Sequence, residues 1–297
     1  MSPTPPIPEI KVVDSLATLL ELLASLKSIP TSSPLLFIDL EGINLGRNGS
    51  ISILSLYAVH KATIYLGDVH TLGKSAFSSH RPGQTTSLKA ILESPSVKKV
   101  ILDARNDSDA LFSHYSEKGI EEICFGLAKC IELASPISYP AKAEWKRRKE
   151  NVTRRFDPRK GGRYDIFNER PLAPDIRDYC AADVALLPGL YSSYGGKMSP
   201  EWKVKGQKAT DDRIRLSQKP EHDGQARDKV LGPWAEDDGS QGPLMFGESE
   251  DSYFLEEDSL FDAMFDQEED DWDDDHRETA RDCIGWEEDM IKNGSPF

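Results

Sequence analysis

Apolar and polar positions are arranged along this chain in patterns that predict distinct elements. Residues 35–40, Leu-Leu-Phe-Ile-Asp-Leu, form a near-continuous apolar run, the signature of a strand buried on both faces. Residues 51–59 alternate. With residues 62–66 across the short His60-Lys61 connection, they predict an antiparallel hairpin. Residues 10–13 and 98–102 are further β-type runs, and residues 120–125 offer another before a helix to Leu133. Helical spacing governs Leu16, Leu19, Leu20, Leu22, Leu23 and Leu26, behind a capping Asp14 or Ser15. It returns in residues 87–93 and 107–118. It also returns in a long helix over residues 174–194, with Ile176, Tyr179, Cys180, Asp183, Val184 and Leu187 on its periodic positions. Residues 73–86 read as a polar loop and residues 136–163 as a basic stretch without apolar period. Three strands in meander, then helix, strand and helix, predict an α/β domain with a mixed sheet.

Beyond Pro200 the pattern fades. The expected organisation is a flexible Pro-rich N-terminus (residues 1–9), a main domain (10–200), and a polar extension (201–232) with one helix from Trp202 to Leu216. An acidic, mostly disordered tail (233–297) with a short helix at 280–292 completes it. Charge divides the same way. Of 51 Asp/Glu and 36 Lys/Arg, 23 and 3 fall in residues 233–297, a balance of −20. The remainder carries 28 and 33, a balance of +5. The tail therefore masks a mildly basic body able to accept a polyanion. Four Cys without a CxxC pair predict reduced thiols. With no secretory signal pattern and no membrane-length apolar run, the expected place is intracellular, in cytoplasm or nucleus.

Carboxylates supply the candidate chemistry. Asp39 and Glu41 are two apart at the end of a strand run, so both face one side at the carboxyl edge of the sheet. Such neighbours raise each other's pKa unless a cation lies between them, which suits a hard ion such as Mg²⁺. The plain alternative is a strand-end Asp and a turn Glu, each solvated. Tyr179 and Asp183 are four apart on a predicted helix and share a face; the alternative is a packed Tyr beside an exposed Asp. Asp107 opens a helix, where capping explains an Asp equally well, and Asp103 and Asp109 are its rivals.

In order along the chain, Phe-Ile-Asp39-Leu-Glu41, then Asp107-x-x-x-Leu111, then Tyr179-x-x-x-Asp183 resembles the DEDDy branch of 3′–5′ exonucleases, to which ribonuclease D belongs. The stretch from Gly161 to Leu172, leading into Tyr179-Cys-Ala-Ala-Asp183, resembles fungal proteins with a stand-alone exonuclease domain. The resemblance covers residues 10–200 and implies a ribonuclease H-like mixed five-stranded sheet flanked by helices. It implies a metal-dependent 3′–5′ exonuclease using two divalent cations, Mg²⁺ or Mn²⁺. Asp39 would bridge both ions, Glu41 and Asp183 would hold the one that activates water, Asp107 would support the other, and Tyr179 would orient the nucleophile. Asp107 is preferred to Asp103 because Leu111 then falls in place. One departure stands out: where the family has an Asp after the second motif, this chain has Phe125-Gly126.

The expected partner is nucleic acid, a single strand with a 3′ end. Lys146, Arg147, Arg148, Arg154, Arg155 and Arg163, with Trp145, Phe156 and Tyr164 interleaved, are candidates to neutralise phosphates and stack bases. Arg105 and Asn106 flank Asp107 and are candidates for the substrate backbone. The acidic tail is a solubilising extension, a competitor of nucleic acid for the basic stretch, or a docking peptide for a protein partner. The rival to an enzyme is a nucleic-acid-binding adaptor on an exonuclease-like domain that does not cut.

Overall fold

The computed structural model describes residues 8–27, 36–101, 104–116, 139–197 and 199–223. The apolar run becomes β2 (Leu36–Glu41), an interior strand of a five-stranded sheet. It pairs antiparallel with β3 (Ile53–Ala58), which pairs antiparallel with β4 (Thr63–Asp68). β1 (Glu9–Val13) lies parallel to β4, and β5 (Lys99–Ile101) parallel to β2, giving the order β1-β4-β3-β2-β5. The sheet is mixed, as the pattern predicts. Its five strands include the short run at residue 10, while the strand expected at residues 120–125 and the helix to Leu133 lie outside the described residues.

The two faces of β2 are covered by different layers. Leu36, Ile38 and Leu40 enter a core with four leucines of α1 (Leu16–Leu26): Leu19, Leu22, Leu23 and Leu26. Each leucine removed from water contributes about 1.5–3 kcal/mol. Ser15, not Asp14, caps α1: its hydroxyl accepts from the Thr18 N–H in a capping box, a feature worth about 1 kcal/mol. The same core takes Val69 of α2 (Val69–Leu72), Ala76 and Phe77 of α3 (Ser75–Ser78), and Leu88, Ile91 and Leu92 of α4 (Leu88–Leu92). Ala110 and Leu111 of α5 (Ala104–Tyr115) join them. Phe37, Asp39 and Glu41 alternate onto the other face.

Three segments depart from the expected pattern. Residues 73–86 are not wholly loop, because α3 anchors them; four residues are too few to show a helical period. Residues 139–156 form α6 (Tyr139–Phe156), an 18-residue helix whose one buried apolar side chain is Val152, which is why its sequence lacks apolar period. The single long helix divides into α7 (Pro174–Ala185) and α8 (Leu187–Lys197). Pro188 has no N–H to give, and its ring would collide with the Val184 carbonyl in a continuous helix. α7 crosses β2, β3 and β4 on the Phe37 face. The helix expected after Pro200 is α9 (Pro200–Ser217), which packs on α5. No described helix is long and apolar enough to cross a membrane.

Candidate active site

The site forms where the end of β2 meets α7. Asp39 and Glu41 share the β2 face that α7 covers, and Tyr179 and Asp183 share the face of α7 turned to it. Ligand oxygens of Asp39, Glu41 and Asp183 all lie within 4.8 Å of one another. Asp183 is buried, while Asp39 and Glu41 are half-buried. The Tyr179 hydroxyl lies beside Glu41 and favours its charged form. Ser55 is directly across the ladder from Asp39, and its buried hydroxyl has no partner among the described residues. Behind Glu41 the chain turns at Gly42, where a Cβ would lie 1.9 Å from the Ser50 carbonyl oxygen. Only glycine lets the loop close so tightly against the strand end.

Electrostatics mark this cluster as unfinished by itself. Burial, then the charge of Asp183, pushes Asp39 up to about 7, against the opposing pull of Lys149 and the Leu40 N–H. Burial, then Asp39 and Asp183, holds Glu41 well above the usual carboxylate range, against the opposing pull of Lys149 and the Tyr179 hydroxyl. Burial and the three carboxylates raise the Tyr179 phenol well above its ordinary value. Three hard oxygen donors that repel one another at this range fit a divalent cation: ligation would satisfy their lone pairs and remove the repulsion.

The segment before α7 sets its position. Phe167 is fully buried, Ser52 Oγ donates to Asn168 Oδ1 at 2.6 Å, and Arg170 forks onto buried Asp68. The two Arg170–Asp68 bonds are 2.5 and 2.6 Å. Phe156 packs on Phe167 and Tyr179, with ring centroids 5.1 and 5.5 Å apart, and stacks with Tyr164 at 6.2 Å. These two aromatics of the basic stretch therefore brace the catalytic Tyr candidate.

The other predicted residues are distributed differently. Asp107 is 5% exposed in the first turn of α5 and is the fourth residue of that helix. It is not among the three acids whose oxygens converge. Its rival Asp109 is committed elsewhere: Oδ2 accepts from the Arg47 N–H at 2.7 Å and Oδ1 from Arg47 Nε at 2.8 Å. Arg47 continues to the carbonyls of Ser217 and Lys219 at the end of α9. Asp103 and the Arg105 side chain lie outside the described residues, and Asn106 is half-buried. Arg147 and Arg148 pair with Glu144, Arg154 with Glu150, Arg155 with Asp175, and Arg163 with Glu169. Lys146 is exposed.

Sequence reasoning counted Lys149 only among the bases of the 136–163 stretch, as a phosphate-neutralising candidate, and did not connect it with the carboxylates. Its Nζ donates to both Asp183 oxygens at 3.0 Å. It also lies 5.1 Å from the Trp145 ring centroid and 5.3 Å from that of Tyr179. Burial disfavours this ammonium, but Asp183, followed by Asp39 and Glu41, raises its pKa overall. A signal was present: Trp145, Lys149, Val152 and Phe156 fall at i, i+4, i+7 and i+11, one helical stripe. It becomes visible once the segment is recognised as a helix.

No protein-family model matches the chain, and no curated protein matches it by sequence. Solved structures do. The Trypanosoma brucei RNase D in complex with GMP matches at TM-score 0.54 and 19% identity, over 71% of this chain. The match spans 64% of that RNase D chain. The same enzyme's structure without a named ligand matches at TM-score 0.54 and 18% identity, over 71% of this chain and 73% of its own. With its five-stranded mixed sheet flanked by helices, the chain has the fold of the RNase D exonucleases.

Proposed function

We propose that this protein is a metal-dependent 3′–5′ exonuclease that releases nucleoside monophosphates from a nucleic-acid 3′ end. The observation that carries the reading is the convergence of Asp39, Glu41 and Asp183 within 4.8 Å at the end of an interior strand, with Tyr179 beside Glu41. The fold supports it, and so does GMP as the ligand of the Trypanosoma RNase D. Asp39, Glu41 and Asp183, with Asp107 as the fourth carboxylate, would hold two Mg²⁺ or Mn²⁺ ions. When bound, these ions supply Lewis acidity for water activation and charge neutralisation at a phosphodiester.

The chain's own groups do the rest. Tyr179 presents its hydroxyl beside the carboxylates, where it can orient an attacking water. Phe156 holds that ring in place. The basic surface of α6 and the α5 start, with Lys146, Arg105 and Asn106, is where the strand backbone would lie. We assign the protein to the cell interior on its reduced-thiol composition.

The test is incubation of the full chain with 5′-labelled single-stranded RNA and DNA, with Mn²⁺ or with chelator. Stepwise shortening from the 3′ end is expected with Mn²⁺ alone, and Asp39→Asn or Asp183→Asn should abolish it. Shortening that survives both substitutions would exclude this site. A second reading, an adaptor that binds without cutting, is favoured by the Lys149 ammonium already resting on Asp183. It predicts retarded but intact strands.

A further inference from the structure

We propose that Lys149 is a built-in counter-ion of the carboxylate cluster, one that a divalent cation must displace from Asp183 to enter the site. This inference rests on the metal-dependent reading given above and adds to it a residue that sets the cation requirement.

The placement is specific. Of the basic side chains on α6, Lys149 alone lies on the stripe formed with Trp145, Val152 and Phe156, and it is directed into the site rather than outward. Its neighbours Arg147, Arg148 and Arg154 bond to acids of their own helix. Nζ is equidistant from the two Asp183 oxygens, 3.0 Å each, the symmetric seat of an ammonium on a whole carboxylate. The Trp145 and Tyr179 ring faces complete the seat, and aromatic faces favour a cation. Asp183 itself is 5% exposed at its side chain, so water contributes little to its solvation.

A divalent ion takes a carboxylate oxygen at about 2.0–2.6 Å. With Nζ 3.0 Å from that oxygen, the two cations would be held within a few ångströms of each other at a buried carboxylate. Like charges at that range are not accommodated together, so the ion and the ammonium exclude one another at Asp183. At low divalent concentration Lys149 offsets the charge of Asp183 and ties α6 to α7 through it. At higher concentration the ion takes its place and the lysine is released. The consequence is a divalent requirement higher than the three carboxylates alone would impose.

Two measurements on the full chain test this. First, Mn²⁺ binding is followed at one pH by the electron paramagnetic resonance of free Mn²⁺, for wild type, Lys149→Met and Lys149→Arg. Met keeps the stem and removes the charge. The expected result is binding at least about tenfold tighter in Lys149→Met and close to wild type in Lys149→Arg. Equal or weaker binding in Lys149→Met, with wild type binding normally, overturns the inference and leaves the metal-dependent reading standing. Second, wild-type protein is treated with an amine-acylating reagent with and without Mn²⁺, and labelling is read by mass spectrometry relative to the other lysines. This readout needs no variant to fold. Labelling of Lys149 should rise with Mn²⁺; unchanged or lower labelling overturns displacement. If neither wild type nor Lys149→Met binds Mn²⁺, the metal-dependent reading falls, and this inference with it.

Discussion

At the residue scale, Asp39 shows how the site trades stability for chemistry. Its carboxyl is pushed up to about 7, by burial first and by Asp183 second. The sign follows from linkage: a carboxyl whose folded pKa is raised binds more protons folded than unfolded, so stability falls as pH rises. The loss begins near the ordinary value of 3.8 and levels off above about 7. Asp39→Asn removes that loss. In chelator, the variant should melt several degrees above wild type at pH 8, and the gap should close near pH 4; calorimetry across this range is the measurement. An Asn variant no more stable than wild type at pH 8 would remove Asp39 as the strained member of the cluster. Asp39, Glu41, Tyr179 and Asp183 were legible in the sequence because each pair shares a face of its element and because their order along the chain resembles one exonuclease family. Lys149 was not, because the helix that aims it has one buried apolar side chain and looks in sequence like a charged linker.

At the element scale, the placing of α7 depends on contacts far from the carboxylates. The connection into α7 is fastened by the Arg170 fork onto Asp68, a carboxylate only 4% exposed at its side chain, across 102 positions of chain. Burial alone would raise the Asp68 pKa, but the bonds from Arg170 and Thr71 more than offset it and hold it below the ordinary value. Arg170→Met leaves that carboxylate buried with Thr71 as its remaining side-chain donor. Breaking such a pair typically costs about 3–5 kcal/mol. A urea midpoint lowered accordingly is expected, with activity lost as α7 loses its seat. Because the folded pKa is lowered, the contribution of the pair is complete above 3.8 and disappears as pH falls through the folded value. Wild type and variant should therefore converge in strong acid. The strands of the sheet were readable because each is a short apolar run with turn residues at its ends. The break between α7 and α8 was also written in the sequence, at Pro188, but the period of apolar positions runs through it and hides it. The fork itself was not readable, since no local pattern relates residue 68 to residue 170.

At the scale of the whole molecule, charge is the property that the averages conceal. The pI of 4.9 describes a chain whose first 232 residues are net basic and whose last 65 carry a balance of −20. Order of motifs along the chain, rather than total composition, made the fold class legible, and the match to RNase D structures at under 20% identity agrees with it. The tail has the charge of a polyanion and is tethered to a body that would bind one. A tethered competitor acts at a high effective concentration, so it weakens binding without touching the catalytic groups. Its effect is electrostatic and fades as salt shortens the Debye length, about 30 Å at 0.01 M against about 8 Å at 0.15 M. We therefore expect that deleting residues 233–297 tightens binding of a labelled single strand at low salt and that the two proteins become indistinguishable as salt is raised. The slope of log affinity against log salt should be shallower for the full chain, because its tail must also be displaced as salt falls. Equal affinities at low salt would show that the tail does not compete, and would leave solubilising the chain or docking a protein partner as the use for its charge.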